Sequence, residues 1–420
     1  MTKRIEIITI GDEVLRGETE ENNGAWLSRS LTRSGLEVWR ISILPDDLDI
    51  LVPELQAAVE RNDTVIVTGG LGPTVDDLTK EAVMRALGLI PEFRQEIVDS
   101  VAARLRERGR KMPTGYRDQG RIPAGADVLP NPVGLAVGLR IKAKGAELFL
   151  LPGVPAEMKA MFKESVLPVL DAPGKDAHVR LRTFGLTETE LEDKLRKAMP
   201  AEALALVSII SSPRGVDAYI PPGSDQLKCV AEAERELGSY IFARGDERME
   251  AIIVGLLISR RKTVAVAESV TGGLLASTIV SAPGASDTFR EGFITYGNEA
   301  KIVRLGVSPR TLEMHGAVSG EVCVEMASGA RNSAGADFGL ATTGIAGPTG
   351  AVPGKPVGLC YVGLAASRGV YCRKLRLFGD REMIRLRAAC FALDMLRLHL
   401  IDNMDRLEPF AASGMHPKNE

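Results

Sequence analysis

Two side chains in the carboxyl-terminal part of this 420-residue chain have the types and setting for covalent hydrolysis. Ser269 stands in Ala267-Glu-Ser269-Val-Thr-Gly-Gly273, which follows a strand-like run, Thr263–Ala267, and opens a helical one, Thr271–Val280. A serine at a strand-to-helix turn is well placed as a nucleophile, with backbone N–H groups nearby to receive an oxyanion. The segment is not the G-x-S-x-G elbow of α/β-hydrolases. A hydroxyl is a weak nucleophile and needs a base, yet His178, His315, His399 and His416 all lie outside glycine-rich site motifs. Lys301, in Thr295-Tyr296-Gly-Asn-Glu-Ala-Lys301, is the better candidate. Its ordinary pKa of roughly 10.4 must fall toward neutrality, through burial or neighbouring positive charge, before it accepts a proton. The competing reading is a solvated surface lysine, which most lysines are. A third segment of the same kind, Thr342-Thr343-Gly-Ile-Ala-Gly-Pro348, also follows a strand.

A second constellation lies near the amino terminus. Thr68-Gly69-Gly70-Leu71-Gly72-Pro73-Thr74-Val75-Asp76-Asp77-Leu78-Thr79 leaves a short β-branched strand and enters a helix. Its glycines let the backbone turn tightly and approach a ligand, and a helix start offers N–H groups suited to phosphate. Asp76 and Asp77 could cap that helix or hold a hard divalent cation bridging phosphate oxygens. The loop is neither a P-loop nor a dinucleotide fingerprint. Gly11-Asp12-Glu13, followed by Asn22 and Asn23, ends another strand, and Pro152-Gly153-Val154-Pro155-Ala156-Glu157 a third. Strand ends of an open parallel sheet converge on one edge where ligands bind, so this set suggests metal-assisted cleavage of a diphosphate.

The elements that must position these groups alternate. Ile5–Ile10, Val38–Leu44, Thr64–Thr68 and Glu147–Leu151 read as strands, with helical patterns at about 47–61 and after Gly153. That order predicts an α/β fold with a mostly parallel sheet covered on both faces. Asp171-Ala-Pro-Gly-Lys175 reads as a linker, and Thr187 with Glu190 as a capping box, flanked by Leu186 and Leu191 as a hydrophobic staple. From about 248 the alternation restarts, ending in a helix whose Ile384, Ala388, Phe391, Met395 and Leu398 form one apolar face. Two α/β domains, 1–170 and 248–420, are thus expected around a small α+β module at 171–247. Lys+Arg 52 against Asp+Glu 55 gives a charge of −3, which disfavours bulk nucleic-acid binding. Apolar runs such as Ala251–Ile258 fall short of the ~20 residues of a membrane helix. Five cysteines without a C-x-x-C pair argue against a disulfide framework and a zinc knuckle. Met1-Thr2-Lys3-Arg4 runs straight into a strand-like segment, so a cytoplasmic protein without a secretory leader is expected.

The amino-terminal segments resemble the CinA family, whose first domain is similar to the molybdopterin-binding domains of molybdenum-cofactor biosynthesis. The resemblance implies a pyrophosphatase that splits ADP-ribose into AMP and ribose 5-phosphate with a divalent metal (Mg, Mn or Co). Asp77 aligns with the acid that follows the glycine loop in the cofactor-biosynthesis relatives, and is the expected catalytic and metal-binding residue, with Asp76 and Glu157 as further ligands. Gly69, Gly70, Gly72, Thr74 and Asn23 are the expected substrate contacts. The chain departs from the family by reading Glu21-Asn22-Asn23 where Asp-Thr-Asn is usual.

Residues from about 250 to 402 resemble the nicotinamide-mononucleotide deamidase (PncC) domain that ends CinA proteins, described as a Ser/Lys amidohydrolase. Three signatures, a Lys355-Pro-Val-Gly358 turn and the 27 positions from Ser269 to Tyr296 carry the likeness. It implies Ser269 as nucleophile and Lys301 as base, Tyr296 orienting the base or the amide, and Thr343 positioning substrate or polarising its carbonyl. Arg381 is the expected phosphate ligand and Arg385 the second choice, with Gly272, Gly273 and Gly344 also at the substrate. No cofactor is implied for this half. Val270 and Gly297 depart from the Cys and Ser of many relatives. The middle segment corresponds to the family's KH-like linker, but no G-x-x-G loop occurs between 171 and 246, so a structural spacer that assists a homodimer is expected. A non-catalytic regulatory binding protein, tied to competence and recombination, is the alternative. The pairing of Ser269 with Lys301 separates the two, because a pure binding protein has no need of it.

Overall fold

The computed structural model describes residues 3–74, 76–170, 178–223, 225–407 and 409–410. The proposed 171–175 linker falls outside them. The chain divides into two units, residues 1–178 and 179–420.

In the first unit a six-stranded sheet runs in the order Val38–Leu44, Ile5–Ile10, Thr64–Thr68, Ala146–Leu151, Gly138–Ala143, Asp127–Leu129. The first four are parallel, with Thr9 beside Thr68 and Thr68 beside Leu151. Ile5–Ile10 and Thr64–Thr68 are buried along their whole length, because helices cover both faces. One face packs on Leu51, Leu55 and Val83, the other on Leu27, Leu31, Met158 and Met161. The register places Ile10, Gly69 and Pro152 level with one another, so the loops after these three strands leave the sheet at the same end. The last two strands are antiparallel, which the alternation of strand and helix did not foresee. Lys144 and Gly145, both at positive φ, close a two-residue hairpin into the Ala146–Leu151 strand.

The second unit begins with a four-stranded antiparallel sheet, ordered Ser208–Ser212, Gly215–Ile220, Val179–Thr183, Ile241–Arg244, carrying helices Glu188–Ala198 and Gln226–Leu237. Leu181, Leu191, Leu195, Ala218 and Val230 form its core. The capping box forms, Glu190 N donating to Thr187 Oγ1 and Thr187 N to Glu190 Oε2. A five-stranded sheet follows, ordered Phe289–Ile294, Val264–Glu268, Phe338–Gly344, Leu359–Ala366, Gly369–Arg376. Its first three strands are parallel and its last two antiparallel. Helices Met249–Arg260 and Arg381–Leu400 cover one face, and Gly320–Ser333 the other.

The Arg381–Leu400 helix is buried on almost every side beyond Ala388, not along one face alone. The small module accounts for this. Arg397, 2 % exposed, holds Asp394 through Nε (2.8 Å) and donates to the Ser239 carbonyl through Nη2 (2.7 Å). Arg406 reaches the same carbonyl (3.0 Å) and lies 3.9 Å from the centre of the Tyr240 ring. Among the described residues no helix is long and apolar enough to cross a membrane.

Candidate active site

Val264–Glu268 and Phe289–Ile294 are parallel neighbours with Glu268 opposite Ile294, so the chain leaves both strands at adjacent points. Ser269 follows one and Thr295 the other. Two main-chain bonds fix this exit: Ser269 N donates to Thr342 O (3.0 Å) and Thr295 N to Glu268 O (2.9 Å). The helix Asn298–Leu305 then turns Lys301 back beneath the strand ends. Its side chain is wholly buried, and Nζ lies 3.3 Å from Ser269 Oγ, 2.8 Å from the Thr295 carbonyl and 3.2 Å from the Tyr296 carbonyl. Burial lowers its pKa from 10.5 to about 8, and no carboxylate pairs with it among the described residues. A neutral amine has two N–H donors and one lone pair. As the ammonium, Nζ donates to all three oxygens; once it loses a proton, the two carbonyls keep the remaining donors and the lone pair faces the Ser269 hydroxyl. The solvated-lysine reading is therefore discarded.

The turn around Ser269 is held by groups that sequence reasoning passed over or placed elsewhere. Glu268 is fully buried, and its carboxylate accepts from the amides of Gly273 (2.9 Å), Leu275 (3.0 Å) and Ala276 (2.7 Å). The helix begins only at Leu274, because Gly272 and Gly273 adopt positive φ. Its first amides are consequently not free for an oxyanion. Those of Val270, Thr271 and Gly272 carry no hydrogen bond among the described residues and are the available donors. The signal for Glu268 was a charged residue closing an otherwise apolar buried strand, which demands partners.

Three expected roles change. Thr343 gives its hydroxyl proton to the Ala317 carbonyl (2.7 Å), which ties it to the scaffold rather than aiming it at a substrate carbonyl. Arg385 donates twice to the Thr271 carbonyl (3.2 and 2.7 Å), so its guanidinium supports the serine turn rather than standing open for phosphate. Tyr296 orients Lys301 through its main-chain carbonyl, while its exposed phenol accepts from Arg381 (3.2 Å). Arg381 is exposed at the start of its helix and also donates to Gly347 O (2.7 Å), which keeps it available to an anion. Gly344 packs against Cys360, where a Cβ would come within 2.5 Å of Sγ, so its role is packing.

In the first unit the glycine loop is bolted to the sheet. A Cβ on Gly69 would lie 2.1 Å from Ile10 O, so close backbone packing alone demands glycine. Thr79 Oγ1 donates to Gly69 O (2.8 Å) and Gln119 to Leu71 O (2.8 Å). Asp77 precedes the helix, which starts at Thr79, and folds back to accept from Gly72 N (2.7 Å), Thr74 N (2.8 Å) and the Thr74 hydroxyl. Asp76 is exposed. Gly70 packs on Thr79. Glu157 accepts from Asn131 (2.6 Å), and Asn23 donates to Gly153 O (2.7 Å) and Thr68 Oγ1 (3.2 Å) beside a cavity of about 140 Å³ lined by Thr9, Glu13 and Glu21. The expected ligands are held apart in their uses: both Asp77 oxygens accept from its own loop, while Glu157 Oε2 accepts from Asn131 and Ala136. No three His, Cys, Asp or Glu converge on one ion among the described residues. Two acids not singled out as site residues meet at this edge, Asp12 and Asp46, each accepting the other's main-chain N–H (3.1 and 3.2 Å). Burial and the neighbouring Asp12, Glu13 and Asp76 carboxylates raise the Asp46 pKa. Lys80, buried beside this loop with Nζ on Asp118 O (3.2 Å), has its pKa lowered to about 8 by burial.

Comparison with known proteins matches two segments of the chain. Residues 6–172 match the probable molybdopterin binding domain and residues 246–400 the CinA C-terminal domain. A CinA-like protein of Kosmotoga olearia is 40% identical over 408 residues, covering 95% of this chain and 99% of its own length. A CinA-like protein of Frankia casuarinae is 38% identical over 422 residues, with 94% and 95% covered. Among solved structures, the competence/damage inducible protein CihA from Agrobacterium tumefaciens is 39% identical over 36% of this chain and 93% of its own, with a TM-score of 0.35. Full-length likeness at this level, spanning both domains, settles the lineage: the chain belongs to the CinA family.

Proposed function

We propose that the carboxyl-terminal half is a Ser/Lys amidohydrolase that deamidates nicotinamide mononucleotide to nicotinate mononucleotide and ammonia. The observation that carries this reading is a buried lysine without a carboxylate partner among the described residues, its Nζ 3.3 Å from a serine hydroxyl. Ser269 Oγ attacks the carboxamide carbon while Lys301 takes the hydroxyl proton. Lys301 returns that proton to the amide nitrogen as the C–N bond breaks, and ammonia leaves an acyl-enzyme. Water, deprotonated by the same amine, releases the carboxylate. Arg381, exposed beside Tyr296, is the group best placed for the nucleotide phosphate. The regulatory-protein alternative has no use for a buried amine with a lowered pKa set against a serine.

Ammonia release from nicotinamide mononucleotide by the full chain, with and without chelator, tests the reading; activity that disappears with chelator sinks it. The pH dependence is a second check. Lys301 works as the free amine, and its pKa is lowered to about 8, so activity is lost as pH falls through that value. We expect kcat/KM to rise to a plateau above pH 8, with roughly a tenth of the plateau remaining at pH 7.

For the amino-terminal unit we propose nucleotide binding at the strand-end edge, with ADP-ribose as the substrate to test. Asp77 holds Gly72 and Thr74 in place, and Asp77→Ala frees both. That variant is expected to abolish any ADP-ribose cleavage assayed with Mg, Mn or Co, while ammonia release, assigned to the other unit, stays within about twofold of the parent. Unaltered ADP-ribose cleavage would remove Asp77 from the activity.

A further inference from the structure

We infer that Glu268 and Arg385 are positioning residues for Ser269, gripping its turn from opposite poles, one through N–H groups and the other through a carbonyl. This rests on the amidohydrolase reading above and deepens it. Five residues, 269 to 273, join the end of a buried strand to a helix that starts at Leu274. Glycines at 272 and 273 make the crossing sterically possible but add freedom that must be removed. Glu268 removes it on the donor side. Its two oxygens take three amides, those of Gly273, Leu275 and Ala276, within 2.7–3.0 Å, and the carboxylate is sealed from water. Arg385 removes it on the acceptor side, through two N–H groups on the single Thr271 carbonyl. Inside the turn, the Thr271 and Thr342 hydroxyls meet at 2.6 Å and tie it to the next strand.

The charge of Glu268 is a requirement of this arrangement. A carboxylate offers acceptor sites only, whereas a carboxamide of the same shape turns an NH₂ toward at least one of the amides. Loss of that grip moves Ser269 relative to Lys301, and a misplacement near 1 Å costs on the order of 100-fold in rate. Neither residue touches the substrate in this account. The signature is therefore a fall in kcat with KM kept, opposite to that of a phosphate ligand.

The experiment compares Glu268→Gln, Arg385→Gln, Arg381→Gln and Ser269→Ala in the full chain, with nicotinamide mononucleotide as substrate and folding followed by circular dichroism. Glu268→Gln and Arg385→Gln are expected to lower kcat by about 100-fold, with KM within about threefold of the parent and the pH limb near 8 in place. Arg381→Gln is expected to raise KM instead. If Arg385→Gln raises KM and spares kcat, Arg385 binds phosphate and the inference is overturned for it. If folded Glu268→Gln keeps the parental kcat, Glu268 is structural only and the inference fails there. Should Glu268→Gln not fold, Arg385→Gln, a change at a partly exposed side chain, decides alone. Ser269→Ala separates the levels: retained turnover in that variant defeats the amidohydrolase reading itself, whereas an inert Ser269→Ala beside normal positioning variants defeats only this inference.

Discussion

Ser269→Ala is expected to abolish ammonia release from nicotinamide mononucleotide, with kcat lowered by about 10⁴-fold or more and the melting temperature close to that of the parent. The size follows from the chemistry. Without Oγ there is no acyl-enzyme, and water must attack an amide directly in a pocket whose base was set to serve a side chain. The cost to folding is small, because Ser269 is partly exposed and its hydroxyl bonds only to Lys301 among the described residues. Mass spectrometry gives an independent check: an amide-directed acylating or phosphonylating reagent should label the parent and leave Ser269→Ala unlabelled. Labelling of the variant at equal rate would place the nucleophile elsewhere.

Lys301→Met has the second-largest expected effect, a loss of about 10³–10⁴ in kcat, with the pH limb near 8 gone from whatever activity remains. Stability supplies a test that activity cannot. The pKa of Lys301 in the folded chain, about 8, lies below the 10.5 of an exposed lysine. Between these values the unfolded chain binds a proton that the folded chain does not, so the stability of the parent rises with pH across that window. Below pH 8 both states are protonated, and the buried ammonium carries its full desolvation cost. Methionine cannot titrate. The parent should therefore gain on Lys301→Met by about 2–3 kcal/mol between pH 8 and 10.5, read by denaturant melts at each pH. A constant difference across that range would show that the amine is not held uncharged. The comparison cancels the constant penalty that the variant incurs when the Thr295 and Tyr296 carbonyls lose their donor.

Much of this was legible in the residues. Ser269 and Lys301 stand out in the sequence because a strand end followed by a glycine pair, and a lysine one turn into the next helix, are local patterns. Parallel strand order then brings them together. What the sequence hid depends on which partner a side chain finds. Nothing local to Arg385 reveals that it meets the carbonyl of Thr271, 114 positions away. Thr343 is likewise claimed by Ala317 from a separate turn. Asp77 has the type and spacing of a cation ligand, yet its neighbours Gly72 and Thr74 bend their N–H groups onto it first. The antiparallel edges of both large sheets escaped the strand–helix alternation because hairpins interrupt that rhythm at the end of each domain. Glu268 was the most recoverable omission, since an acid at the close of Val-Ala-Val-Ala has no water to turn to.

The bond from Arg397 to the Ser239 carbonyl, reinforced by Arg406, bears on any attempt to dissect the protein into pieces. A cut just before residue 248 would take the Ser239 carbonyl from both guanidinium groups, leaving them Asp394 alone, and lay bare the flank of the helix that carries Arg381 and Arg385. Starting the fragment at residue 179 keeps that flank clothed. The shorter excision should be the more aggregation-prone of the two, and its catalytic defects would report the surgery rather than the chemistry.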